Sequence, residues 1–258
     1  MNKNTLLLYF ILCLTGCNKT KLDVVSLSNK DANQIYSIGN KYMDSQMYEE
    51  ATSAFGELEK QYPYSKYIVN AELNSGLCLY KMKKYEKAKS VLETLVQTHP
   101  EHKSVSDALY LLGNIYFDQM PIVKRDQWVT IMSLVYFQEL CARYPEYKNI
   151  QDAKNKIQLL TEHLASHEFR SGMYYQKHRN YVAAIARYNT IIEFYPKTKI
   201  ADEAYYRLIE CYLSLGFIQE VYATNQTLQS KNKDSKWAGY ALSCIEREKQ
   251  HLLRKKDR

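Results

Sequence analysis

Two hydrophobic patterns divide the chain. The first is a continuous apolar run, Leu6 to Leu14, nine residues long and preceded by one basic residue, Lys3. A membrane-spanning helix needs about 20 apolar residues, so this run has the size of a secretory signal's apolar region. The second pattern fills the rest of the chain: apolar residues recur at helical spacing, with almost no strand-like alternation. The spacing predicts an all-α protein.

Glycine and proline show how the helices are grouped. Gly39, Gly76 and Gly113 are 37 residues apart each time, and Tyr62-Pro63, His99-Pro100, Tyr144-Pro145 and Tyr195-Pro196 each close a helical stretch. Proline stops a helix because it lacks an amide hydrogen and clashes with the preceding turn. A fixed period in this range marks a helical repeat array. With each proline set at position 32 of a tetratricopeptide (TPR) unit, the first unit places Gly39, Tyr42, Ala51, Phe55 and Pro63 at positions 8, 11, 20, 24 and 32. The second places Gly76, Leu79, Ala88, Leu92 and Pro100 there, and the fourth Gly172, Tyr175, Ala184, Tyr188 and Pro196. The third fits in two pieces, Gly113 and Tyr116 and then Phe137, Leu140 and Pro145, around an insertion near "PIVKRDQW". A fifth, degenerate unit has Ala204, Tyr212 and Leu228 but no closing proline. Small residues at positions 8 and 20 let paired helices approach, and larger apolar residues fill the gaps beside them.

The expected fold is therefore an all-α solenoid of about five TPR helix pairs. Its expected parts are a signal peptide at 1–16, a flexible tether at 17–32, units one to three at 33–148, a long helix with units four and five at 149–246, and a basic tail at 247–258. The long helix is read in "NIQDAKNKIQLLTEHLASHEFRSGMYYQKH", because Pro145 and Pro196 are 51 residues apart rather than 37.

The end of the apolar run adds a chemical feature. Leu14-Thr15-Gly16-Cys17 fits a bacterial lipoprotein cleavage site, where small side chains suit the peptidase and the Cys17 thiol accepts a diacylglyceryl group. An ordinary signal peptide with an incidental cysteine is the competing reading. Asn18 stands where an aspartate retains enteric lipoproteins in the inner membrane, which points to the outer membrane. Cleavage before Cys17 leaves 242 residues and takes the formal charge from +7 to +6 through loss of Lys3. That balance, with no basic stripe on a nucleic-acid motif, gives no reason to expect nucleic-acid binding. The terminal "REKQHLLRKKDR" does concentrate positive charge. It reads either as a solvated helix end or as a contact with anionic lipid or an acidic partner. Cys78, Cys141, Cys211 and Cys244 lie far apart in helical apolar patterns and are expected as buried thiols, although an exported chain permits disulfides.

Catalytic signatures are missing. The glycines spell neither G-x-G-x-x-G nor a phosphate loop, and no G-x-S-x-G occurs. His163 and His167 are four apart on a predicted helix without an obvious third ligand, so two ordinary polar positions are preferred over a metal pair. No enzyme activity, cofactor or metal is expected. What the pattern does supply is a groove lined by the first helix of each pair at positions 2, 5, 9 and 12. These are Asn33, Tyr36, Asn40 and Met43, then Asn70, Leu73, Leu77 and Tyr80, then Asp107, Tyr110, Asn114 and Phe117. Aromatic faces cover apolar side chains at low entropy cost and amides bond a peptide backbone, so an extended peptide is the expected ligand. The competing reading is that some of these tyrosines only pack between repeats.

The lipoprotein start, the five repeats, the interrupted third unit and the long helix before the fourth together resemble the BamD family, outer-membrane lipoproteins of the β-barrel assembly machinery. The resemblance runs over nearly all the mature chain. It is strongest in "NQIYSIGNKYMDSQMYEEATSAFGELEKQYPYSKY" and in "HEFRSGMYYQKHRNYVAAIARYNTIIEFYPKT", where Tyr174, Tyr175, Tyr181, Ala183, Ala184, Arg187, Tyr195 and Pro196 follow the family pattern. The resemblance implies a non-enzymatic protein on the outer membrane of a Gram-negative bacterium, anchored by lipid at Cys17 and facing the periplasm. It implies that the N-terminal half binds unfolded barrel precursors, through Tyr36, Asn40, Tyr80 and Tyr110 among the groove residues. It also implies that the C-terminal half docks on the barrel-forming subunit BamA through Arg187 with Tyr188, beside other lipoproteins of the complex. The alternative is another TPR lipoprotein of the cell envelope, a pilus-secretin pilotin or a coordinator of peptidoglycan synthesis.

Overall fold

The computed structural model describes Leu27 and residues 29–256, and these hold eleven α-helices and no strand. Ten of them form five antiparallel pairs: α1 Ala32–Asp44 with α2 Tyr48–Gln61, α3 Ile68–Lys81 with α4 Tyr85–Thr98, and α5 Val105–Asp118 with α6 Trp128–Arg143. Then come α7 Ile150–Lys177 with α8 Tyr181–Phe194, α9 Ala201–Leu215 with α10 Ile218–Asn232, and a last helix, α11 Lys236–Lys256. The all-α repeat solenoid read from the sequence is the fold. The signal peptide and Cys17 lie outside the described residues, as does most of the segment expected as a tether.

Local chemistry sets the boundaries. The array opens on a capping box: the Gln34 amide donates to Asp31 Oδ1 at 2.8 Å, and the Asp31 amide donates to Gln34 Oε1 at 3.1 Å. Helices α2, α4, α6 and α8 stop one residue before Tyr62, His99, Tyr144 and Tyr195, each of which precedes a proline and leaves the helical region. Within pairs one, two, four and five the turn is a left-handed cap. Its αL residue is Gln46, Lys83, Arg179 or Gly216, and the following amide reaches back to the carbonyl of Tyr42, Leu79, Tyr175 or Tyr212. Three of these four are not glycine, so the caps are held against their own conformational cost by packing on either side.

The first four pairs are each closed by one recurring contact. A Cβ added at Gly39 would stand 2.5 Å from the Phe55 ring, one at Gly76 2.5 Å from Leu92, one at Gly113 2.6 Å from Phe137, and one at Gly172 2.6 Å from Tyr188. These are positions 8 and 24 of the repeat. The insertion in the third unit, residues 119–127, lengthens the connection without disturbing that contact.

The buried side chains form a nearly continuous core. Ile35, Phe55 and Leu58 fill the first interface, and Leu92, Leu109, Leu112 and Phe137 the next. Helix α7 belongs to both halves: Ala153 and Leu160 pack on unit three, while Ala165 packs with Tyr188 and Ile191 of unit four. At about 1.5 Å per residue its 28 residues span about 42 Å, enough to join the two. Residues 247–256 continue α11, and the stretch through 254 is largely exposed, in keeping with the solvated helix end read from the sequence. Ala238 and Ala241, with Ile245 behind them, seat that helix on Tyr205, Ile209 and Val221, so it covers the end of the array as terminal helices of solenoids do.

The four described cysteines are free thiols, Cys78 and Cys211 buried, Cys141 and Cys244 half-buried. Burial pushes Cys78 up to about 11 and Cys211 up to about 12, which keeps both protonated and unreactive. Among the described residues no helix is long and apolar enough to cross a membrane.

Candidate functional site

Successive first helices α1, α3 and α5 carry the candidate contacts Tyr36, Asn40, Asn70, Tyr80, Tyr110, Asn114 and Phe117, but most of their polar atoms are already used between repeats. The Asn74 amide donates to Asn40 Oδ1 at 2.9 Å, and Tyr36 stacks on Tyr67 with ring centroids 5.1 Å apart. The Ser104 hydroxyl donates to Asn70 Oδ1 at 2.9 Å, and the Tyr80 hydroxyl donates to Asp118 Oδ2 at 2.7 Å. A ladder of this kind fixes the curvature of the groove, since each rung ties one first helix to the next repeat. The partners Asn74, Ser104 and Tyr67 went unread in the sequence. The signal that would have found two of them is the 34-residue offset of Asn40–Asn74 and of Asn70–Ser104.

The ladder is densest where α5 meets α7. The Tyr110 hydroxyl donates to Asp152 Oδ2 at 2.7 Å, and the Tyr147 hydroxyl to Asp107 Oδ1 at 2.8 Å. Lys156 on α7 lies 2.8 Å from Asp152 and also donates to Asn114 Oδ1. Its ammonium sits 5.4 Å from the ring centroids of both Tyr110 and Phe117 and 5.6 Å from that of Phe137. Cation–π attraction strengthens when the cation is desolvated, and the Lys156 side chain is only 19% exposed. Burial pushes the Asp152 carboxyl up, but the hydrogen bonds from Lys156 and Tyr110 outweigh it and the net direction is down. Burial, then the Asp152 bond, pushes Tyr110 up, so it remains a donor. Lys156→Met keeps the stem and removes the charge, leaving Asp152 and Asn114 short of a donor. We expect a loss of about 2 kcal/mol in urea unfolding; a change below about 0.5 kcal/mol would show that the cage does not hold α7.

Asn114 therefore offers a peptide little: it is 8% exposed, and its other amide end donates to the Tyr110 carbonyl at 2.8 Å. The surface left open is chiefly aromatic, the half-buried faces of Tyr36, Tyr80, Tyr110 and Phe117.

The two residues expected to contact a partner separate. Arg187 on α8 is exposed, and its guanidinium donates to Glu168 Oε2 at 3.1 Å; that bond raises the Arg187 pKa. Tyr188 is 0% exposed and cannot touch a partner. Its ring fills the space over Gly172, and its hydroxyl donates to Gln176 Oε1 at 2.7 Å. Gln176 in turn donates to Glu210 Oε2 at 3.0 Å, so Tyr188 links units four and five from the inside. Adjacent positions on a helix point about 100° apart, and here one faces solvent and the other the core.

His163 and His167 hold the insertion. The Val123 carbonyl lies 2.6 Å from His167 Nδ1, and the His163 ring sits against the Pro121 carbonyl. Burial pushes the His163 pKa down, which favours the neutral ring. Among the described residues no three His, Cys, Asp or Glu side chains converge to hold a metal ion.

Stacked helix pairs, the first four closed by a glycine against a large residue and the first three lining an aromatic groove, define a TPR-type solenoid, a class whose concave surfaces bind other proteins. The model of the YfiO family, described as outer membrane lipoprotein, matches residues 28–228, and the chain belongs to that family. It is 31% identical over 246 residues to the outer membrane protein assembly factor BamD of Rickettsia prowazekii (strain Madrid E), covering 93% of this chain and 94% of the relative. The protein of the same name from Caulobacter vibrioides is 30% identical over 225 residues, covering 87% of this chain and 74% of the relative. The one from Neisseria meningitidis serogroup A is 28% identical over 218 residues, with coverage of 81% and 82%.

Proposed function

We propose that this chain is a non-enzymatic assembly factor for outer-membrane β-barrel proteins, held to the membrane by lipid at Cys17. The observation that carries the reading is the match of the YfiO family across residues 28–228, joined to relatives named as outer membrane protein assembly factors over most of the chain. Unfolded precursors, whose strands alternate apolar and polar side chains, meet the aromatic row of units one to three. Tyr36, Tyr80, Tyr110 and Phe117 supply apolar faces there, while Asn40, Asn70 and Asn114 chiefly hold the row in shape. The C-terminal half receives the barrel-forming subunit, and Arg187 is its contact. Glu168 pre-orients the guanidinium, which then shares its remaining donors with a carboxylate of the partner, a contact worth about 1–3 kcal/mol where it is desolvated.

The test is extraction of the native protein in mild detergent beside an Arg187→Ala variant, with identification of what co-purifies. A large outer-membrane barrel protein should accompany the native chain and fall by roughly tenfold with the variant, at unchanged circular dichroism. Recovery of pilus or cell-wall proteins in its place would assign the array to a different envelope complex.

A further inference from the structure

In α6 the usual pattern of a solenoid helix is inverted. Its first two turns bury polar residues and expose apolar ones: Thr130 and Ser133 are 0% exposed, whereas Trp128 is 53%, Ile131 45% and Val135 45% exposed. The buried hydroxyls are satisfied, Ser133 donating to the Gly113 carbonyl at 2.9 Å and Thr130 to Gln127 Oε1 at 2.8 Å. Counting back from the large residue that faces the glycine, the position of Ile131 is Glu49 in unit one and Glu86 in unit two, and that of Val135 is Ser53 and Ser90. Unit four carries a smaller version, Val182 and Ala186. An outward helical face that is charged or polar in two repeats and apolar in the third is what a covered surface looks like before its cover arrives.

The insertion beside this face is built to present it. Gln127 is buried and its amide donates to the carbonyls of Ile122 at 3.1 Å and Arg125 at 2.8 Å, while His167 holds Val123 from the other side. The fixed loop ties the Ile122 carbonyl to the residue that precedes α6 and leaves the Ile122 side chain 65% exposed. Trp128 packs edge-on against Tyr116 with centroids 5.8 Å apart, and Tyr116 stacks on Tyr136. A large ring already fixed in its bound orientation loses little entropy when a partner covers it, the property of an interface anchor. Lys124 and Arg125 are exposed in the same loop, four and three residues before α6 begins, and neither is ion-paired with a described residue.

We propose that Ile122, Trp128, Ile131 and Val135 dock an apolar stripe of an amphipathic helix from another protein, with a carboxylate one turn from that stripe received by Lys124 and Arg125. The strip decides between a protein and a bilayer. From Trp128 to Val135 it runs along the side of α6 for about 10 Å. A helix packs along such a flank through its i, i+3 and i+7 residues, whereas a helix that lies on a bilayer carries Lys and Arg beside its apolar face, and α6 has none before Arg143. The basic pair before α6 sets the polarity of the docked helix by charge complementarity. This surface uses neither the aromatic row nor Arg187, so it stands or falls independently of the assembly reading.

Photo-crosslinking on the full-length chain in the cells that make it tests the proposal. Benzoylphenylalanine is placed at Ile131, and at Ser90, the unit-two counterpart of Val135, as control. The expected result is an adduct from position 131 but not 90, mapping by mass spectrometry to an apolar helical segment of another protein that carries Asp or Glu within four residues. Lys124→Glu with Arg125→Glu should reduce its yield by roughly tenfold. Circular dichroism of each variant establishes that the array is folded, since every substituted residue is exposed. Adducts only with lipid, only with a second copy of this chain, or no stronger than at Ser90 would overturn the proposal, as would a yield insensitive to the charge reversal.

Discussion

Gly113→Leu is expected to cost the array about 3 kcal/mol or more. The Cβ alone would stand 2.6 Å from the Phe137 ring, closer than carbon atoms approach, and Phe137 is fully buried with no free space to rotate into. Helices α5 and α6 must therefore separate. Leu112, Ile115 and Leu140 lie in the same core cluster, so the opening spreads to the seat of α7. In a solenoid each unit is stabilised by its neighbours, and unit three stands between the first interface and the long helix. Urea unfolding followed by circular dichroism should show the loss. Phe137→Ala in the Gly113→Leu background should recover part of it, because the deleted ring makes room for the new side chain; this non-additivity separates the close approach from a general intolerance of substitution. A Gly113→Leu protein within about 0.5 kcal/mol of the parent would mean that the pair is not closed by this contact.

Cys17→Ser is expected to move the protein out of the membrane fraction except for what its contact with the barrel-forming subunit retains. A diacylglyceryl group carries two acyl chains, and two chains give stable anchoring where one gives only marginal binding. No helix among the described residues is long and apolar enough to replace it. Serine has the size of cysteine without the nucleophilic thiol, so export and folding should survive. Fractionation of the cell envelope should find the serine variant in the soluble periplasm at normal circular dichroism. Continued pelleting of a Cys17→Ser, Arg187→Ala double variant would show that the membrane attachment does not depend on Cys17.

The fold was legible because it rests on a periodic signal. Glycine at position 8, a large residue at 24 and proline at 32 recur where the helix pairs are closed and ended, and Gly113 with Phe137 kept that logic across the insertion. The long helix could be read from the spacing of two prolines, since helix length follows directly from the residues between two stops. The site was legible only as a row of positions. Tyr36, Tyr80, Tyr110 and Phe117 do line successive first helices, but the partners of the asparagines were not readable from single positions. They come from the next repeat, and whether an amide faces a ligand or a neighbouring side chain depends on the distance between repeats.

The sequence by itself determined the helical class, the repeat register and the stops, because each follows from local backbone and side-chain properties. Only the tertiary structure decided that Tyr188 is interior while Arg187 beside it is exposed, and that His163 and His167 hold a loop. It likewise decided that Lys156 closes the aromatic cage and that α6 turns its apolar residues outward. These depend on which atoms the packing of helices distant in sequence brings within a few ångströms, and helical periodicity within one segment carries no record of that.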